Sequence, residues 1–121
     1  MGKRRRKADR PTAPTTGYDS PDGTQTLTLR GVMTPKTREQ YRRETGPEGT
    51  RAAATVDDMR ERAIEFLFER LACGWTISGV ETTRPQELLA RYRVASREER
   101  AWITGVLRAH CADWFPDVSV P

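Results

Sequence analysis

The stretch Trp75–Thr83, WTISGVETT, decides the fold class. It lies between two helical patterns and offers Ile77 and Val80 to a core. Read as an extended connector, it leaves a domain of three helices with a short helix and one isolated strand upstream. The expected class is then mainly α: a small three-helix domain, related to a helix-turn-helix, with a short N-terminal strand and a disordered basic tail.

Upstream of the connector, Thr55 caps a helix start, with Asp58 three residues on, and Gly74 is its expected stop. Ile64, Leu67, Phe68, Leu71 and Trp75 fall at i, i+3, i+4, i+7 and i+11 and form one apolar stripe. Met59, Ala63 and Phe66 form a second stripe beside it. Downstream, Pro85 suits a first helical position, and Leu88, Leu89 and Tyr92 are that helix's apolar side. Ser96 and Glu99 make an S-x-x-E capping box, so a third helix starts at Arg97. Its apolar set is Ile103, Val106, Leu107, His110 and Trp114, and Pro116 ends it.

Further upstream, TQTLTLRGVM (Thr24–Met33) alternates polar and apolar and reads as a strand. With no second strand in view, its backbone groups need a partner. Thr34 and Pro35 open a short polar helix anchored by Tyr41, and Thr45–Ala54 reads as a linker. The expected division is 1–23 as disordered basic tail, 24–54 as strand, short helix and linker, and 55–121 as the three-helix domain. The unpartnered strand and the two-sided first helix imply a homo-oligomer built through Leu27, Leu29, Met59 and Phe66.

The chain has 121 residues, 36% apolar and 31% charged, and holds no apolar run near the roughly 20 residues that cross a membrane. A cytoplasmic location is expected. The basic start has no apolar segment after it to make a secretory signal. Charge is uneven: residues 1–10 hold six of the 21 bases and one of the 17 acids, or +5, and the rest hold 15 bases and 16 acids, or −1. Arginine dominates the bases, and with abundant Ala and Thr this points to a GC-rich bacterial genome.

No catalytic constellation emerges, so the expectation is a protein without enzymatic activity, metal or cofactor. His110 and Cys111 are adjacent on a helix and point about 100° apart, which prevents a base–nucleophile pair. Cys73, His110 and Cys111 fall short of the four ligands of structural zinc. The carboxylate pairs Asp57/Asp58 and Glu98/Glu99 sit at helix N-termini, where the dipole favours acids.

Nucleic acid is the expected partner, with an acidic protein surface as the other candidate. Lys3, Arg4, Arg5, Arg6, Lys7 and Arg10 form an arm suited to phosphate contacts. Arg91, Arg93, Arg97 and Arg100 are secondary contacts. As a DNA-reading unit, Arg84–Leu107 has Ala90 as its small residue. However, Val94 stands where a turn glycine is favoured, Arg100 where an apolar residue is expected, and Glu98 and Glu99 would meet phosphates. An ordinary helical hairpin fits better, in a protein with a regulatory or accessory role. The second reading is an assembly subunit that binds only protein.

Overall fold

The computed structural model describes residues 14–45 and 55–121. The element order is β1 (Thr15–Asp19), β2 (Gln25–Arg30), α1 (Pro35–Thr45), α2 (Val56–Leu71), β3 (Ala72–Ile77), β4 (Val80–Thr82), α3 (Pro85–Arg93) and α4 (Arg97–Trp114). The four strands form one antiparallel sheet in the order β1-β2-β3-β4. The architecture is therefore α+β, with four helices and a four-stranded sheet among the described residues, and the mainly-α three-helix expectation is wrong.

The error lies in Trp75–Thr83. Helix α2 stops at Leu71 and passes directly into β3, so Trp75 belongs to a strand and not to the helical stripe. Ile77 pairs with Val80, which leaves Ser78-Gly79 as a two-residue hairpin turn. Both turn residues have positive φ, 50° and 84°, the requirement of a type I′ turn. Strand β2 likewise has neighbours on both sides. Leu27 pairs with Tyr18 of β1 and with Trp75 of β3, and a bulge shifts the β2–β3 register after Thr28.

Strand β1 lies inside the segment expected to be disordered tail. It is joined to β2 by a Ser-Pro-Asp-Gly turn, with Gly23 at φ 75°. Asp22 accepts hydrogen bonds from the Ser20 hydroxyl and from the Thr24 amide and hydroxyl. Those bonds hold its carboxyl down at about 2.

One face of the sheet carries Leu27, Leu29 and Trp75, all buried. The helices cover this face with Tyr41 from α1, Leu67, Phe68 and Leu71 from α2, Leu88 and Tyr92 from α3, and Ile103 and Leu107 from α4. The opposite face carries Thr26, Thr28, Gly74 and Thr76 and adds no large side chain to the core. Full burial of one Leu contributes roughly 1.5–3 kcal/mol. Leu27 and Leu29 are fully enclosed within their own chain and Phe66 is buried, leaving only Met59 of the expected contact residues half-exposed. The reason for pairing strands between copies, a missing intrachain neighbour, does not hold.

The local punctuation follows the sequence. Thr55 with Asp58 and Ser96 with Glu99 form complete capping boxes. Thr34 accepts from the Thr37 amide at the start of α1. No helix among the described residues is long and apolar enough to cross a membrane.

Candidate functional site

The arm residues Lys3, Arg4, Arg5, Arg6, Lys7 and Arg10 lie outside the described residues. The four secondary candidates separate into two kinds. Arg91 and Arg93 are committed to carboxylates. Arg91 Nη2 lies 2.6 Å from Glu99 Oε2, and its guanidinium sits over the Trp75 ring at 5.0 Å. Glu99 also accepts from Gln25 Nε2 and the Ser96 amide, both at 2.9 Å. Burial opposes the charge on Glu99, but the Arg91, Ser96 and Gln25 hydrogen bonds outweigh it and hold the carboxyl at about 2. Arg93 pairs with Glu65 at 2.8 Å. Glu99, one of the two acids that weigh against DNA reading, is thus a tie between the start of α4 and the sheet.

Arg97 and Arg100 are of the other kind. Arg97 is exposed and has no acidic partner among the described residues. Arg100 packs over the Tyr92 ring at 5.0 Å and donates to the Arg93 carbonyl at 2.9 Å, so it too faces no acid. Together with Thr104 and Arg108 they fall at i, i+3, i+7 and i+11, one face of α4. That face borders an open cleft of about 760 Å³, closed on its other side by Arg60, Glu61 and Ile64 of α2. Tyr92, Ala95, Ala101 and Pro121 complete the lining.

The cleft therefore gathers four guanidinium groups against one acidic side chain, Glu61. Arg60 lies 4.0 Å from Asp57 in a solvent-exposed pair, which restrains it little. Arg108 donates to the main-chain oxygen of Pro121. Tyr92 is only 4% exposed, and its hydroxyl makes no hydrogen bond among the described residues. That oxygen is not among the enclosed orphan polar atoms, so it opens to solvent on the cleft that Tyr92 lines. Burial pushes this hydroxyl's pKa up, Arg100 opposes the rise, and Glu65 and Glu61 add to it. It stays protonated and can donate.

On the other side of α2 lies a groove of opposite sign, lined by Glu44, Asp58, Glu61, Glu65 and Glu69 with Arg62 and Phe66. Helix α2 thus divides the surface into an acidic and a basic concavity. Fixed charge in this arrangement directs an anion to the α2–α4 side.

Sequence reasoning named Arg97 and Arg100 as contacts, counted Arg108 only in the positive excess of the region, and missed Arg60 and Tyr92. The stripe Arg97, Arg100, Thr104, Arg108 was legible at helical spacing. Arg60 is far away in sequence and joins the others only through the packing of α2 on α4.

The histidine has a structural task. Its Nε2 is 2.7 Å from the Arg30 carbonyl oxygen, and its Nδ1 is 2.7 Å from the Tyr18 hydroxyl. A carbonyl only accepts, so Nε2 carries the proton and Nδ1 accepts from Tyr18. Burial lowers the histidine pKa, against the Arg30 carbonyl and Asp113, which raise it. His110 is a neutral buried strut that ties α4 to β1 and β2. Cys111 is fully buried, which pushes its thiol up to about 11, and both cysteines are free. Among the described residues no three His, Cys, Asp or Glu side chains gather around a metal-sized space. No known protein family, characterised protein or solved structure matches this chain.

Proposed function

We propose that the protein binds nucleic acid without catalysing a reaction, in a regulatory or accessory role. The observation that carries this reading is the α2–α4 cleft, where Arg60, Arg97, Arg100 and Arg108 face one acidic side chain. Guanidinium forks match phosphate oxygens two at a time, and two of these four side chains, Arg97 and Arg100, have no acidic partner among the described residues to displace. The basic arm adds sequence-independent attraction through counterion release. The cleft adds a contact of fixed geometry. Arg91 and Arg93, spent on Glu99 and Glu65, contribute to the fold and not to phosphate binding.

Fluorescence anisotropy with single- and double-stranded oligonucleotides across a salt series tests this. Observed affinity should fall linearly on a log–log plot, with a slope of about 0.7–0.9 per phosphate contacted. Replacing Arg4, Arg5 and Arg6 with Gln should flatten the slope by two or more units, and Arg97→Gln with Arg100→Gln by about two. Arg93→Gln should leave the slope unchanged. Absence of salt-dependent binding to either strand form would overturn the reading in favour of a protein-only assembly subunit.

A further inference from the structure

The cleft is unlike a surface that merely follows a duplex backbone. Its volume of about 760 Å³ falls inside the roughly 300–1,000 Å³ of small-ligand sites. A double helix is too broad to enter it and would touch only its rim. Its polar groups also sit at different depths. Arg97 is exposed, whereas Tyr92, which also lines the cleft, is 4% exposed and its hydroxyl has no protein partner among the described residues. That hydroxyl is reached by water and spent on no protein acceptor, so it is free to donate to a ligand in the cleft. Beside it, Ile64, Ala95 and Ala101 supply apolar lining. Arg100 is held with one face on the Tyr92 ring, which orients a planar cation at the cleft wall. Nucleic-acid bases stack on such guanidinium planes.

We infer that the α2–α4 cleft is a subsite for one nucleoside monophosphate, with the phosphate monoester between Arg97 and Arg100, one helical turn apart on α4, and the base on the apolar lining of Ile64, Ala95 and Ala101 toward Arg108. A phosphate monoester carries up to two charges and three free oxygens, more than a backbone diester offers. That matches two guanidinium groups better than a single carboxylate would. The inference rests on the nucleic-acid reading and deepens it. The same chemistry is present on a free nucleotide and on the phosphorylated 5′ end of a strand.

The test uses the full chain and isothermal titration with AMP, adenosine and inorganic phosphate as separate probes. AMP should bind at least about tenfold tighter than either fragment, because only it uses both halves of the cleft. Arg97→Gln should weaken AMP by about tenfold, the usual size of a charge-assisted contact, and Arg108→Gln, at the base end of the cleft, by about threefold. Tyr92→Phe keeps the ring in the core and should weaken AMP about three- to tenfold, while Arg93→Gln should have no effect. Anisotropy with one oligonucleotide, with and without its 5′-phosphate, separates the two sources. Tighter binding of the phosphorylated form, lost in Arg97→Gln, supports a strand end as the ligand. AMP binding without that preference supports the subsite with a free nucleotide as occupant and removes the cleft from the nucleic-acid reading. Oligonucleotide binding that ignores the 5′-phosphate, with AMP no tighter than phosphate, overturns the subsite and leaves the broader reading standing. AMP binding that is equal in wild type and all three cleft variants also overturns it.

Discussion

Replacing Tyr18 with Phe removes one oxygen from the contact that fixes β1 to the body of the protein. The Tyr18 hydroxyl donates to His110 Nδ1 at 2.7 Å, and His110 is fully buried. A net hydrogen bond contributes roughly 0.5–1.5 kcal/mol, and an acceptor left unpaired in a buried site costs about 1–3 kcal/mol. His110 Nδ1 has no water-exposed alternative, so Tyr18→Phe should cost about 1–2 kcal/mol. On a domain of this size that is a fall in Tm of very roughly 4–8 °C per kcal/mol. His110→Leu abandons both Tyr18 and the Arg30 carbonyl and should cost about 2–4 kcal/mol. Because both changes remove the same bond, the double variant should be about 1 kcal/mol less destabilised than the sum of the singles. Urea denaturation followed by tryptophan fluorescence measures all four proteins.

The pH dependence of the same set adds a second readout. His110 is harder to protonate when folded than its ordinary value of 6.5. The unfolded chain therefore takes up its proton first. The stability tied to neutral His110 is present above about pH 6.5 and drains as pH falls below it. His110→Leu should lose that dependence. A neutral Tyr18→Phe, additive double-variant energies and an unchanged pH profile would together refute the strut and the placement of β1.

Three other outcomes follow from the geometry. Glu99→Gln should destabilise by about 1–2 kcal/mol through the lost Arg91 and cap contacts. The wild-type contribution of Glu99 should be full above about pH 4.5 and fade as pH falls toward 2, a dependence absent in the variant in acid denaturation. Ser78→Asn, at a φ of 50° before Gly79, should raise stability by about 0.5–1 kcal/mol in thermal melts, because Asn-Gly suits the type I′ turn better. In thiol labelling near pH 8, Cys73 should react first and Cys111 only on unfolding, since burial pushes both thiols up and Cys111 is the more enclosed.

The helices were the most legible part because their ends are chemically marked. Thr55 with Asp58 and Ser96 with Glu99 satisfy helix N-termini locally, and Pro85 and Pro116 set limits that no packing needs to supply. The sheet was mostly hidden. Strand β1 has one large apolar residue, Tyr18, so its identity comes from pairing with β2 and from the His110 bond. Strand β4 has three residues and is largely exposed. Two signals were nevertheless present. Ser-Pro-Asp-Gly after β1 and Ile-Ser-Gly-Val across the second hairpin are turn chemistry flanked by residues able to pair. Helical spacing carried through Leu71 to Trp75 masked the second of these. It cannot tell a continuing helix from a strand that packs the same Trp onto the same core. For the site, one wall was readable as an arginine stripe on α4. The opposite wall and the place of Tyr92 in the lining exist only once α2 and α4 are packed together.

The most direct test of the cleft as the phosphate site is an NMR titration of the arginine Nε–Hε signals with a 5′-phosphorylated oligonucleotide. The arrangement of charge around α2 predicts shifts at Arg60, Arg97, Arg100 and Arg108 that move together with added strand, while Arg91 and Arg93 stay in place on Glu99 and Glu65. Saturable binding of the strand that leaves all four cleft arginines unmoved would contradict it.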